Sequence, residues 1–341
     1  MQLNTSSSYL DTRISILNYR LQSRDWFHEL AQNPPESISA LSQRLSLLHA
    51  GEKPPELEPD FEPLILESLL NEFKILLRPY YGHARRLLLQ WISHIELRNL
   101  KTILHGALLR RPADELRDSM LQMGDLETLP FRELLQADDI LEMLRILDKT
   151  NYSSMARQAR RLYEEHNDPF FVNASIDQRY LRDMMAHMNR MPRRDIAYLR
   201  QLLGFIVDRH NLVWLIRYRF TYDLKSPETW YLLSPGGYHL SSSDIYTLVN
   251  LSSADQVLDR LPDSLKSIIN EQTNLFDIEL ALENAIEEKT RELLRQKQST
   301  ITRTVAWLIL REKQLLRVRG ILKGQELSLD AETVSFAMGL G

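Results

Sequence analysis

The chain has 341 residues, of which 43% are hydrophobic and 26% charged, with a formal net charge of −4 and no cysteine. A single hydrophobic core stops growing at about 250–300 residues, so two or three subdomains are expected. The charge balance lacks the basic excess of a general nucleic-acid binder, and the missing cysteines exclude disulfides, thiolate zinc sites and thiol nucleophiles.

Glycine is scarce, at 11 residues, and apolar side chains recur every three or four positions along almost the whole chain. That is the helical period, and the expected fold class is all-α. Helices are predicted over 10–32, 36–49 and 61–79, with breaks at Asn33-Pro34-Pro35 and across Gly51 to Pro55; 50–60, rich in Pro and Glu, reads as the most linker-like stretch. Further helices are predicted over 83–110, 113–122, 131–147, 152–166, 170–189 and 193–219, punctuated by Pro112 and Pro192. After Ser234-Pro235-Gly236-Gly237 come 242–249, 253–271, 274–297, 300–322 and 329–337, preceded by short 227–232. Ser241, Ser242 and Ser243 offer an N-cap ahead of Asp244, because a hydroxyl there accepts a bond from an otherwise unpaired helical N–H. No run approaches the roughly 20 apolar residues of a bilayer span. Val305 to Leu310 comes nearest and is fenced by Arg303 and Arg311. The opening residues have neither a basic nor an apolar region of the signal-peptide kind, so membrane association is expected only through another protein.

An internal repeat is the most informative pattern. Glu96, Asn99 and Leu100 sit in one long helix, and Asp208, Asn211 and Leu212 stand 112 positions later in another. A weaker third copy, Glu312 with Leu315 and Leu316, follows 104 positions on. Downstream of the first copy Gly124 leads to Ala137-Asp138-Asp139-Ile140-Leu141, and downstream of the second Gly236-Gly237 leads to Ala254-Asp255-Gln256-Val257-Leu258. Two ordered matches at similar spacing point to duplication, and with the third copy to triplication, in units of roughly 1–130, 131–240 and 241–341. Each Asn falls on an apolar stripe: Ile92, Ile95, Asn99 and Ile103 share one face, and Val207, Asn211, Trp214 and Tyr218 another. A polar group there needs partners, either by cross-linking helices in the core or by lining a surface that a partner protein covers.

Catalytic constellations are sparse. There is no phosphate-binding Gly-rich loop, no His-Glu-x-x-His, no Gly-x-Ser-x-Gly elbow, and the 9 histidines have no helical ligand spacing. The single candidate is Asp138, Asp139 and Glu142, an arrangement that helical isoprenoid enzymes use to hold magnesium against a diphosphate. Against it, Gln256 replaces Asp139 in the repeat, and a second acidic motif is missing from the C-terminal half. Ile140, Leu141, Leu144 and Leu147 are expected to form the buried face, leaving the acids at a solvated helix start favoured by the helix dipole. Basic residues cluster at Arg157, Arg160 and Arg161, at Arg190, Arg193 and Arg194, and at Arg311, Lys313, Arg317, Arg319 and Lys323. The last group rides a helix with Trp307, Leu310, Leu315, Val318 and Leu322, a mixture suited to a protein interface.

Four stretches together resemble a known family. They are Tyr9, Leu10 and Arg13 with Arg20, Leu21, Phe27 and Leu30; Glu96, Asn99, Leu100, Lys101, Ile103, Leu104 and Gly106; Asp208, Asn211, Leu212, Ile216, Arg217 and Arg219 followed by Leu232 to Gly237 and Leu240-Ser241; and Leu310-x-Glu312 through Arg319, Ile321, Leu322 and Gly324. Spread over nearly the whole chain, they are similar to the C subunits of archaeal and bacterial V/A-type ATPases, the counterparts of the d subunits in eukaryotic vacuolar ATPases. The family usually carries a second Glu and an Arg where this chain has Gln314 and Leu316. The resemblance implies an all-helical funnel of three similar units with pseudo-threefold symmetry and no active site or cofactor. One side would be a socket for the D and F subunits of the central stalk, and the other would sit on the membrane proteolipid ring. The chain would then transmit torque as part of the rotor, peripheral at the cytoplasmic face. Arg317 and Arg319, with Arg217 and Arg219 on the middle helix, are the candidate partner contacts; the alternative is that they pair with acids inside the chain itself. Competing readings are a helical scaffold or adaptor, disfavoured because solenoids repeat every 20–50 residues, and a magnesium-dependent prenyl-diphosphate enzyme built on Asp138, Asp139 and Glu142.

Overall fold

The computed structural model describes residues 2–33, 35, 38–45, 47, 61–270 and 272–340, and every regular element among them is helical, so the fold class is all-α. In chain order the helices are α1 (Gln2–Asn18), α2 (Arg24–Gln32), α3 (Ile38–Arg44), α4 (Phe61–Leu77), α5 (Gly82–Leu108), α6 (Ala113–Asp118) and α7 (Phe131–Gln136). They continue with α8 (Ile140–Leu147), α9 (Ser153–His166), α10 (Pro169–Met188), α11 (Arg193–Leu199), α12 (Phe205–Ile216) and α13 (Ser226–Leu232). The last are α14 (Ser242–Val249), α15 (Ala254–Asp259), α16 (Asp263–Ile269), α17 (Leu275–Arg295), α18 (Thr300–Glu326) and α19 (Ala331–Ala337). Wider π-helical turns occupy Arg200–Gly204 and Arg217–Thr221. The break expected across Gly51 to Pro55 and the linker-like stretch 50–60 lie outside the described residues.

Three expected helices are each broken in two by local chemistry. The span 10–32 parts between α1 and α2, where the Ser23 hydroxyl accepts from Trp26 N and starts a new helix. The span 131–147 parts at Asp139, whose carboxylate accepts from Glu142 N. The span 253–271 parts at Pro262, which has no N–H to continue the ladder and leads directly into α16. Of the three candidate serines, Ser241 is the cap of α14 and forms a reciprocal pair with Asp244.

The chain divides into two compact bodies. The first comprises Met1–Tyr81, Pro192–Leu202 and Phe276–Gly341, so both ends of the sequence fold into it. The second comprises Gly82–Met191 and Leu203–Leu275. Contact defines these bodies and repetition defines the spans 1–130, 131–240 and 241–341, so the one is no test of the other.

In the first body α18 is the central element and packs against α1, α2, α4, α11 and α19. Its first three turns are buried almost all round, and along its length Val305, Trp307, Leu308, Val318 and Ile321 are fully buried. The two arginines fencing its apolar run are buried with it. Arg303 pairs with Asp11 of α1 and donates to Leu294 O. Arg311, 0% exposed, donates to Glu72 of α4 at 2.9 Å and to Leu45 O at 2.8 Å, and Glu72 also takes Arg20 at 2.9 Å. Each guanidinium needs these partners, because breaking a buried pair by removing one member costs about 3–5 kcal/mol.

The second body is organised on α10, which packs on both α5 and α9, and α8 packs on α9 and α5. Leu100, Ile103 and Leu104 of α5 meet Leu134, Met143, Leu144, Leu147, Met155 and Ile176 in one core. Burying each such side chain stabilises the fold by about 1.5–3 kcal/mol. The buried face of α8 is Ile140, Met143, Leu144 and Leu147, and not the expected Leu141, which is half-buried; the helix begins only at Ile140, and positions 3, 4 and 7 along from it share its stripe.

Candidate functional site

Two loops of the second body are fixed by the same chemistry. On α5 the Asn99 carboxamide donates to Leu121 O at 2.7 Å and accepts from Leu121 N at 2.8 Å. One turn earlier Glu96 accepts from the N–H groups of Thr128 and Leu129, from the Thr128 hydroxyl at 2.9 Å and from the Tyr152 hydroxyl at 2.7 Å. On α12 Asn211 donates to Ser234 O at 3.1 Å and accepts from Ser234 N at 3.0 Å. Asp208, again one turn earlier, accepts from the N–H groups of Tyr238, His239 and Leu240 at 2.9, 2.6 and 3.0 Å. In each case a carboxamide takes both backbone groups of one loop residue, and an acid collects the free N–H groups a few residues on. All four polar side chains are at most 2% exposed, so they cross-link the core. The loop beyond Ser234 comes so close to α12 that a Cβ on Gly237 would lie 2.1 Å from Asp208 Oδ1 and 2.4 Å from Gly204 O. Only glycine fits there.

The third long helix carries the same device in altered form. Gln314 of α18 accepts from Gln22 N at 2.6 Å and donates to Arg20 O at 3.1 Å, holding the segment that separates α1 from α2. Three residues earlier stands Arg311, a donor where the other helices have an acceptor, and it is directed at Glu72 and a carbonyl. The sequence match on Glu312 and Leu315 is therefore one residue out of step with the geometry. Leu315 is an apolar core residue and Glu312 is half-buried, while the amide is Gln314. Relaxing the sign of the charged member gives Glu96-x-x-Asn99-Leu100, Asp208-x-x-Asn211-Leu212 and Arg311-x-x-Gln314-Leu315, a pattern carried by the sequence itself.

Burial shifts the ionisable groups around these clamps. Desolvation pushes Asp208 up to about 7 against the pull of its three N–H donors. It also raises the Tyr152 phenol, with the Glu96 charge adding to the effect.

Of the four candidate contact arginines, Arg317 is buried and Arg217, Arg219 and Arg319 are half-exposed. Arg317 is 4% exposed and places its guanidinium 2.7 Å from Glu287, with Nε donating to Met338 O and the group 5.7 Å from the Phe27 ring centroid. Glu287 also takes Lys313 at 3.1 Å and Arg291 at 2.9 Å. Burial alone would raise this carboxyl, but the Arg317 bond and the charges of Lys313 and Arg317 bring it down to about 2. Arg219 donates to Val249 O at 3.0 Å and Leu224 O at 2.6 Å, closing the end of its helix. These two bond within the chain, as the alternative reading expects. Arg217, over the Trp214 ring at 5.1 Å, and Arg319 are half-exposed. Counted from the clamping amides, Arg217 is matched on α18 by Gly320, and neither Arg317 nor Arg319 is its counterpart.

The acidic candidate for metal chemistry is a helix cap. Asp139 accepts from Glu142 N at 2.8 Å and Glu142 accepts from Asp138 N at 2.7 Å, which occupies both carboxylates with backbone donors. Arg157 and Arg160 pair with Asp148 and Glu164, and Arg161 with the Tyr231 hydroxyl. No helix among the described residues is long and apolar enough to cross a membrane.

The family model of the ATP synthase (C/AC39) subunit matches residues 10–335. Among curated proteins, the C subunit of the A-type ATP synthase of Halorubrum lacusprofundi is 22% identical over 97% of this chain and 97% of its own length. That of Thermococcus kodakarensis is 21% identical over 98% and 91%, and that of Methanocaldococcus jannaschii 20% identical over 80% and 71%. A match of that extent, on an all-helical chain whose long helices repeat one loop-fixing device, identifies the chain as a member of the ATP synthase C/AC39 family.

Proposed function

We propose that this chain is a non-catalytic rotor component of a V/A-type ATPase, joining the D and F subunits of the central stalk to the membrane proteolipid ring and passing torque between them. The observation that carries the reading is the buried amide clamp repeated on α5, α12 and α18. A coupler must hold two partners at once and resist shear, and close-packed helices whose loops are pinned to them transmit strain without yielding. The three clamps support three equivalent helical units in a pseudo-threefold funnel. In that arrangement the unit of α18 takes its pinned loop, residues 20–22, from the start of the chain. The chain is then peripheral, at the cytoplasmic face, held to the membrane through the ring. Arg217, Arg219 and Arg319, all half-exposed, are the socket-side contacts of this reading.

The test is assembly. A tagged copy of the chain, co-produced with D, F and the proteolipid, should bring down the stalk pair and the detergent-solubilised ring together. Vesicles carrying the ATPase without the chain should keep ATP hydrolysis by the detached heads and lose ion pumping. Capture of neither partner, or pumping that persists without the chain, overturns the proposal.

A further inference from the structure

The second body carries a half-open cleft of about 310 Å3 between α5, α9, α10 and the loop at 126–128, and the coupling role makes no use of it. Buried apolar side chains, Leu97, Met155 and Ile176, make up one part of its wall. Most of the polar groups on the remaining wall are already committed. Glu96 has four donors, and Arg179 and Asp183 pair with each other at 2.8 Å. Besides the exposed amide of Asn151, two groups are left over. Arg86 lines the cavity, is exposed, and forms no ion pair among the described residues. His187 also lines it, and its Nδ1 is shielded from solvent with no hydrogen-bond partner. A shielded ring nitrogen left unpaired is uncommon in a native fold and marks a place where a partner group is missing. Burial lowers the His187 pKa, and Arg190, Arg86 and His83 lower it further against the opposing pull of Asp183.

We propose that this cavity binds a small amphipathic anion, with its carboxylate or phosphate on Arg86 and His187 and its apolar body against Leu97, Met155 and Ile176. The chemistry follows from what remains uncommitted. An anionic oxygen accepts from the Arg86 guanidinium and from the N–H of the Nδ1-protonated His187 tautomer, both charge-assisted contacts. Leu97, Met155 and Ile176 offer only van der Waals surface, which a polar ligand would not desolvate for. The volume is at the low end of the roughly 300–1,000 Å3 of ligand sites, which suits a chain of several carbons and is too small for a nucleotide. The site is independent of the coupling proposal and would stand if that failed.

Titration calorimetry on the purified full chain tests it, using octanoate and octyl phosphate below their aggregation concentrations, with octanol and inorganic phosphate as the two half-ligands. One or both amphipathic anions should bind with one-to-one stoichiometry, at least about tenfold more tightly than either half-ligand, and the stronger of the two identifies the head group. Arg86→Gln, at an exposed position, should weaken binding about tenfold without moving the melting temperature. Ser93→Leu, which adds bulk to the cavity wall, should abolish it. Absence of binding by both anions at millimolar concentration overturns the proposal. So does octanol or phosphate binding as tightly as the anions, or affinity unchanged in both variants.

Discussion

Asn99 and Asn211 each commit one carboxamide to both polar groups of one distant residue, and Gln314 commits its own to the N–H of Gln22 and the C=O of Arg20. An apolar side chain of similar size fills the same space and leaves an N–H and a C=O unpaired, and each unpaired buried group costs about 1–3 kcal/mol. Asn211→Leu should therefore lower the urea midpoint by an amount corresponding to about 2–4 kcal/mol, with the slope of the transition unchanged. Asn99→Leu and Gln314→Leu should fall in the same range if the three clamps are equivalent; a Gln314→Leu variant as stable as the parent would remove α18 from the set. Asp208 adds a pH signature. Its carboxyl is held up to about 7, above the ordinary 3.8, by burial. The folded state thus holds a proton that the unfolded chain has lost, and the stability this group supplies is complete below about pH 4 and disappears as pH rises through 7. Melting temperatures measured from pH 5 to 8 should decline more steeply for the parent than for Asp208→Asn, which has no proton to lose.

The helices themselves are legible in the apolar period; their interruptions are not, for reasons that differ by case. Pro262 is a breaker readable in the sequence, and the predicted span 253–271 overrides it because apolar spacing continues on both sides. Ser23 and Asp139 look unremarkable until their hydroxyl and carboxylate are seen capping the next helix. The break before α2 is further held by Gln314, nearly three hundred residues away in sequence, and no local pattern contains that partner. The acids reveal the repeat, and the same criterion misplaces the third copy, since α18 uses Arg311 where α5 and α12 use an acid. The ion cluster joining α17 to α18 is equally hidden: Glu287 is one of many acids on an amphipathic helix, and only packing sets Lys313, Arg317 and Arg291 around it. That cluster gives the acid limb of stability. Glu287 is held down at about 2 against an ordinary 4.5, so its contribution is present above about pH 4.5 and is lost as pH falls toward 2. Glu287→Gln should cost about 3–5 kcal/mol at neutral pH, because it leaves buried cations without their counter-charge. Its denaturant midpoint should also be flatter than the parent's between pH 4.5 and 2. An unchanged neutral stability would mean that solvent, not Glu287, balances those cations.

At the scale of the whole molecule, the proposed coupling role requires that some charges serve the fold and others serve partners, and Arg317 and Arg319 of α18 offer a matched contrast. They lie two residues apart, so they point to different sides of the helix. Arg317 is 4% exposed and bound to Glu287 and Met338 O, whereas Arg319 is half-exposed. Removing a charge from a buried, hydrogen-bonded pair costs about 2–5 kcal/mol wherever the pair sits, in the fold or at an interface, whereas a rim charge costs little. Arg317→Ala should accordingly lower the melting temperature of the isolated chain and weaken stalk binding only in step with that loss. Arg319→Ala should leave the melting temperature close to the parent value and weaken capture of the D–F pair. Raising the salt concentration should then close the gap between parent and variant, because a contact at the rim of an interface is screened over about 10 Å at 0.1 M. Surface-plasmon measurements at two ionic strengths, run beside thermal melts of the same preparations, separate the two effects. If Arg319→Ala binds the stalk pair as the parent does, the socket side of α18 does not include it. If its affinity and stability fall together, Arg319 belongs with Arg317 to the interior, and Arg217 and Arg219 remain as the candidate socket contacts.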